Sequence, residues 1–116
     1  MIHGIGIDTI EISRFKRAMD RWGDKLNSRL FTPSELAYCL GQRSPERHLS
    51  ARFAAKVSFF KALGRPLCYR AVEVSRDSTG APSLVSNAIE KGMSVSVSIS
   101  HDGDLSIAET VIERAS

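Results

Sequence analysis

The chain has 116 residues, enough for one small domain with a real core and little to spare. Its 42% hydrophobic and 25% charged residues are ordinary for a globular chain, no apolar run reaches the roughly 18 residues of a membrane span, and MIHGIGID lacks the charged, then apolar pattern of a signal peptide. A net charge of +3 favours anionic partners (a phosphate-rich small molecule, an acidic protein or nucleic acid), while Cys39 and Cys68, outside any CxxC pair, argue against a zinc site and for free thiols in a reducing cytoplasm.

Residues 2–7, IHGIGI, predict a short buried strand with Ile5 and Ile7 on one face and glycines permitting close backbone approach. Asp8 is expected to end it, and Asp8 or Thr9 to cap the next helix. Ile12, Phe15, Met19 and Trp22 then recur at helical spacing, with Arg14, Arg17 and Arg21 about half a turn away. Gly23 stops this helix. TPSE at 32–35 predicts a second start, with Thr32 as N-cap, Pro33 in the first turn and Glu35 closing a capping box. SPER at 44–47 repeats the Ser-then-Pro signal and launches the longest helix, whose apolar stripe is Leu49, Phe53, Val57 and Phe60. Gly64 and Pro66 end it.

Beyond Pro66 the period changes from helical to alternating. AVEVSRDSTGAPSLV reads as two strands around a Ser-Thr-Gly turn, MSVSVSIS as a strand with Val95, Val97 and Ile99 on one face, and LSIAETVIE as a last strand after an HDGD turn. The predicted fold class is α+β, with helices packed on a mostly antiparallel sheet in a single domain over 1–116.

Spacing alone leaves the sites open. Asp8 at a strand-to-helix junction serves as a cap or as a metal ligand. The arginine stripe is a solvated face or a dock for an acidic partner. Arg52, Lys56 and Lys61 read as ordinary helix cations, and His101 sits at a strand end beside a turn. No GxSxG elbow surrounds Ser96, Ser98 or Ser100.

The combination is more specific. GIGID, RFAAK, KALG, GAP and SISHD occur in that order across essentially the whole chain. Together they resemble the short bacterial holo-acyl-carrier-protein synthases, a group of 4'-phosphopantetheinyl transferases. The resemblance implies transfer of the phosphopantetheine arm of coenzyme A to a serine of an acyl carrier protein, releasing adenosine 3',5'-bisphosphate. It implies a homotrimer with coenzyme A in clefts between subunits. Asp8 then matches a Mg²⁺ ligand at the coenzyme A diphosphate. Arg52, Lys56 and Lys61 match cations near the phosphates, with Lys61 placed to assist the leaving group. Gly64, Gly80, Pro82, Ser100 and His101 match positions bordering the nucleotide, His101 among the catalytic set. Arg14, Arg17 and Arg21 match the face that docks the acidic carrier protein.

One position departs. The family pattern is RFAAKEA, its glutamate a second Mg²⁺ ligand, whereas this chain reads RFAAKVS with Val57 there. Valine cannot coordinate a metal, so the resemblance implies a weakened transferase or, as the alternative, a homologue that binds carrier protein or coenzyme A without turnover. A nucleic-acid module is disfavoured, because neither a stacking-aromatic strand motif nor a helix-turn-helix signature is present.

Overall fold

The computed structural model describes residues 1–115. Strand β1 (Ile2–Glu11) leads through helices α1 (Ile12–Trp22), α2 (Asp24–Leu30), α3 (Pro33–Leu40) and α4 (Pro45–Leu63) to the hairpin β2 (Val72–Arg76) and β3 (Pro82–Ser86), and then to β4 (Met93–Asp102) and β5 (Leu105–Arg114). The α+β class holds, with every strand pairing antiparallel. The sheet is divided: β1, β5 and β4 form one three-stranded unit in that order, and β2–β3 a separate ribbon.

Helix α4 lies across the larger sheet on its smallest side chains. Ser50, Ala54, Ser58 and Ala62 recur every four residues, and all are buried. Opposite them on β5 stand Ser106, Ala108, Thr110 and Ile112, every second residue and also buried. Four helical residues advance about 6 Å and two strand residues about 6.8 Å, so the two rows stay in step. The hydroxyls at the contact satisfy each other: Ser50 Oγ lies 2.8 Å from Ser106 Oγ, and Ser58 Oγ 2.7 Å from Thr110 Oγ1. Buried serines therefore leave no unpaired donor on this face.

The first strand corrects two expectations. Ile5 and Ile7 are not its buried face; each is 56% exposed. The glycine face is the one against α4, because a Cβ on Gly4 would overlap the carbonyl oxygen of Ala62, and one on Gly6 that of Ser58. Nor does Asp8 end the strand, which runs on to Glu11. The cap of α1 comes from elsewhere: Asp104 accepts from Ser13 N at 2.9 Å and from the Ser13 hydroxyl. Since the atoms facing Gly6 are helix backbone and cannot rotate away, Gly6→Ala should destabilise the fold by about 1–3 kcal/mol. Urea unfolding of the variant checks this, and an unchanged midpoint would contradict the crossing.

The helical starts divide similarly. The capping box is present in full, with Thr32 Oγ1 accepting from Glu35 N and Glu35 Oε1 from Thr32 N. Ser44, by contrast, adopts a left-handed conformation and makes no side-chain cap. Trp22 leaves the apolar stripe of α1 for solvent, where Arg21 lies 5.0 Å from its ring centre. Val57 packs on none of the three core clusters, two of which hold Leu49, Phe53 and Phe60, so it does not extend their stripe. Cys39 is fully buried and Cys68 exposed, and burial pushes the Cys39 thiol pKa up.

Candidate active site

The site follows from the glycine crossing. Even-numbered residues of β1 face α4, and Gly4 and Gly6 bring the strand backbone against the helix. Asp8 is the next inward residue, beside the middle of α4, and the side chain of Lys61 reaches back to its carboxylate. Lys61 Nζ lies 3.2 Å from Asp8 Oδ1 and donates at 2.9 Å to the Ile7 carbonyl. That carbonyl is available because β1 is an edge strand, paired only with β5. The other carboxylate oxygen, Asp8 Oδ2, is buried without a hydrogen-bond partner. The Asp8 side chain is 15% exposed and that of Lys61 52%. A pair so open to water contributes only about 0–1 kcal/mol, so a ligand can take Lys61 from Asp8 at small cost. Val57, half-buried and one turn before Lys61, shares its side of the helix and offers no donor or acceptor.

The other helix cations do not join this pair. Lys56 is fully buried, and its three protons are all engaged: 2.6 Å to Glu35 Oε1, 2.8 Å to Leu30 O and 2.9 Å to Tyr69 O. It has no N–H left for a phosphate, which corrects the expectation drawn for it. Burial pushes the pKa of this ammonium down, and Glu35 offsets part of the shift through its hydrogen bond and charge. Glu35 Oε2 accepts from Val74 N at 2.8 Å, so the pair fastens α3, α4 and β2 together.

Arg52 points a third way. It is buried, its guanidinium stands 4.7 Å from the Tyr38 ring centre, and its Nε has no partner. Arg76 lies 5.9 Å from the same ring centre and donates to the Gly80 carbonyl at 2.8 Å. Between α3 and β2 these groups, with Ser34 and Ser75, line a cavity of about 230 Å³. Sequence reading missed Arg76; its only signal was its place before the Ser-Thr-Gly turn. The hairpin is held by Asp77, whose Oδ1 accepts from Thr79 N, Thr79 Oγ1 and Ala81 N, with Gly80 at φ 86° and Pro82 opening β3.

His101 and Ser100, adjacent on β4, face opposite sides of the sheet. His101 Nδ1 is 3.2 Å from Ser106 Oγ, which bonds Ser50. Ser50 and Lys61 are separated by about 16 Å along α4. One chain therefore carries Asp8, beside the middle of α4 between Gly6 and Ile10, with Lys61 reaching back to it, and a basic group of Arg47, His48, Arg52, Arg76 and His101 toward the first half of the helix; Gly64 ends α4 at φ 89°. Arg14, Arg17 and Arg21 are all exposed on α1. Arg14 also lines a groove with Thr9, Glu11, Phe53 and Leu105.

Burial first, then the charges of Arg52 and Arg76, hold the His48 pKa below its ordinary 6.5, and burial and Arg47 do the same for His101. As pH falls, the unfolded chain takes up these protons before the folded one. Histidine-linked stability is therefore full above 6.5 and declines below it, down through the lowered folded-state values. Thermal melts stepped downward from neutral pH should show a falling Tm, less steep in His48→Gln. A Tm independent of pH in this window would contradict the assignment.

Known proteins resemble this chain over nearly its whole length. Residues 4–110 match the 4'-phosphopantetheinyl transferase superfamily. A holo-[acyl-carrier-protein] synthase of Trichlorobacter lovleyi is 43% identical over 124 residues, covering 97% of this chain and 98% of the relative. The crystal structure of the Neisseria meningitidis holo-[acyl-carrier-protein] synthase superposes with a TM-score of 0.89 at 33% identity, covering 98% of this chain and 100% of that one. The Bacillus anthracis enzyme, solved in complex with CoA (3',5'-ADP), gives 0.85 at 30% identity, covering 99% of both chains.

Proposed function

The chain belongs to the 4'-phosphopantetheinyl transferase superfamily, and from that premise we propose that it is a holo-acyl-carrier-protein synthase. It takes the phosphopantetheine arm of coenzyme A and transfers it to a serine hydroxyl of an acyl carrier protein. The serine oxygen forms a bond to the phosphorus bearing the pantetheine arm, its hydroxyl proton passes to solvent, the P–O bond to the other phosphate breaks, and adenosine 3',5'-bisphosphate leaves with the bonding pair. The observation that carries the assignment is the Asp8–Lys61 pair beside a buried, unpartnered carboxylate oxygen at the strand–helix crossing.

Asp8 fits as a ligand for Mg²⁺, because Oδ2 is buried and free of any hydrogen bond. No group of three or more potential ligands occurs among the described residues, but Mg²⁺ keeps several waters and commonly takes one or two carboxylates beside substrate phosphates. When bound, the ion supplies electrostatic stabilisation to the diphosphate. Lys61, released from Asp8, places an ammonium where the leaving phosphate gains charge, and charge positioned for the transition state is usually the largest source of rate enhancement.

In this reading one subunit supplies Asp8, Lys61 and Gly64 and its neighbour supplies Arg52 and His101, with coenzyme A in the cleft between them. The outer face of β1 supports the same reading: Ile5 stands exposed opposite half-buried Val111 and Ile7 exposed opposite Glu109, with Ile107 beyond, a largely apolar strip that association into a homotrimer covers. The Gly80–Pro82 hairpin and Ser100 then border the nucleotide. Arg14, Arg17 and Arg21 dock the acidic carrier protein, and their charge speeds encounter in a salt-sensitive way. Two unbridged cysteines fit a cytoplasmic protein, and no helix among the described residues is long and apolar enough to cross a membrane.

The test is the mass of an apo-acyl carrier protein incubated with this chain, coenzyme A and Mg²⁺. A gain of one phosphopantetheine group is expected. Saturable binding of coenzyme A with no mass gain at any Mg²⁺ concentration would leave the non-catalytic alternative, which Val57 favours.

A further inference from the structure

The cation site of this chain is assembled from unusually few parts. Asp8 is its one carboxylate; Oδ1 is held by Lys61 at 3.2 Å, and Oδ2 has no partner. Val57 occupies the helix position one turn from Lys61 and cannot ligate. Among the described residues no group of three or more acidic, histidine or cysteine side chains forms a ligand set. In the free protein a divalent cation would have a single oxygen to bind and an ammonium within reach to repel it. A coenzyme A diphosphate changes both terms: it brings anionic oxygens for the cation and a counter-charge that draws Lys61 away from Asp8.

Resting on the transferase reading above, we infer that the divalent cation is not a resident of this protein and binds only together with coenzyme A, because Val57 leaves Asp8 as the sole carboxylate and Lys61 competes for it. Cation and coenzyme A are therefore strongly coupled ligands. Linkage makes the coupling reciprocal: the factor by which coenzyme A tightens the cation equals the factor by which the cation tightens coenzyme A. A chain with a second carboxylate at position 57 holds the cation in advance, and its coupling is weaker.

The experiment measures binding, apart from turnover. Mn²⁺ retained by the full chain is read from the loss of the free-ion electron paramagnetic resonance signal, with and without coenzyme A, after subtracting the Mn²⁺ that coenzyme A holds alone. Coenzyme A affinity is measured by calorimetry with Mn²⁺ and with EDTA. The wild-type chain should retain little Mn²⁺ by itself, and each ligand should tighten the other at least about tenfold, or about 1.4 kcal/mol. Val57→Glu, at a half-buried position outside the core clusters, should bind Mn²⁺ without coenzyme A and show reduced coupling. Asp8→Asn should still bind coenzyme A but lose the coupling. Equal Mn²⁺ affinity with and without coenzyme A, or a Val57→Glu variant that behaves as wild type, would overturn the inference while leaving the transferase reading intact. Failure of coenzyme A to bind under any condition would overturn both.

Discussion

Replacing Lys56 by methionine is expected to destabilise the protein by about 3–5 kcal/mol, the largest effect of any single change considered. The reason lies in what the substitution leaves behind. Glu35 is 2% exposed, and its Oε1 faces Lys56 Nζ at 2.6 Å. Two carbonyls, Leu30 O and Tyr69 O, lose their donor in the same step. Unfolding of Lys56→Met in urea gives the value. The double variant Glu35→Leu with Lys56→Met should recover only part of the loss: no buried charge is left unpaired, but Thr32 N, Val74 N and the two carbonyls still lack partners. If the single variant unfolds like wild type, the ammonium is not neutralising Glu35 in the interior.

Lys61→Ala, by contrast, should damage chemistry and spare the fold. Its pair with Asp8 is half-exposed, so stability should fall by about 1 kcal/mol or less. Loss of a positioned charge at the leaving phosphate should lower kcat by about 10²–10³-fold. The KM for coenzyme A should move much less, because the interaction grows as the transition state is approached. Steady-state transfer to a carrier protein, with a melting curve alongside, separates the two effects. An unchanged kcat would remove Lys61 from the reaction.

These two lysines mark the limits of the sequence. On a helix surface Lys56 and Lys61 look equivalent, and both match a phosphate-binding pattern. Only the path of α3 decides between them, because Glu35 serves at once as capping-box residue and as counter-ion inside the core. The box was legible from Thr32, Pro33 and Glu35; the burial was not, since its partner lies 21 residues away. Ile5 and Ile7 misled for a related reason. Alternation shows that two faces differ, yet not which one packs, and here the glycine face packs because its lack of side chains admits α4. Helix α2, DKLNSRL, went unseen because seven residues directly after Gly23 carry too little periodicity to register. The strand, long helix and hairpin that hold Asp8, Lys61 and Gly80 were all legible, through motifs whose order along the chain is itself informative.

The most direct measurement is a crystal structure of the chain with coenzyme A and Mn²⁺, the ion located by its anomalous scattering. A single manganese peak is expected, bonded to Asp8 Oδ2 and to diphosphate oxygens, with Lys61 Nζ moved off Asp8 onto the diphosphate and Val57 outside the ion's coordination sphere. A diphosphate bound away from Asp8 and Lys61, or a manganese ion held with no contact to Asp8, would contradict it.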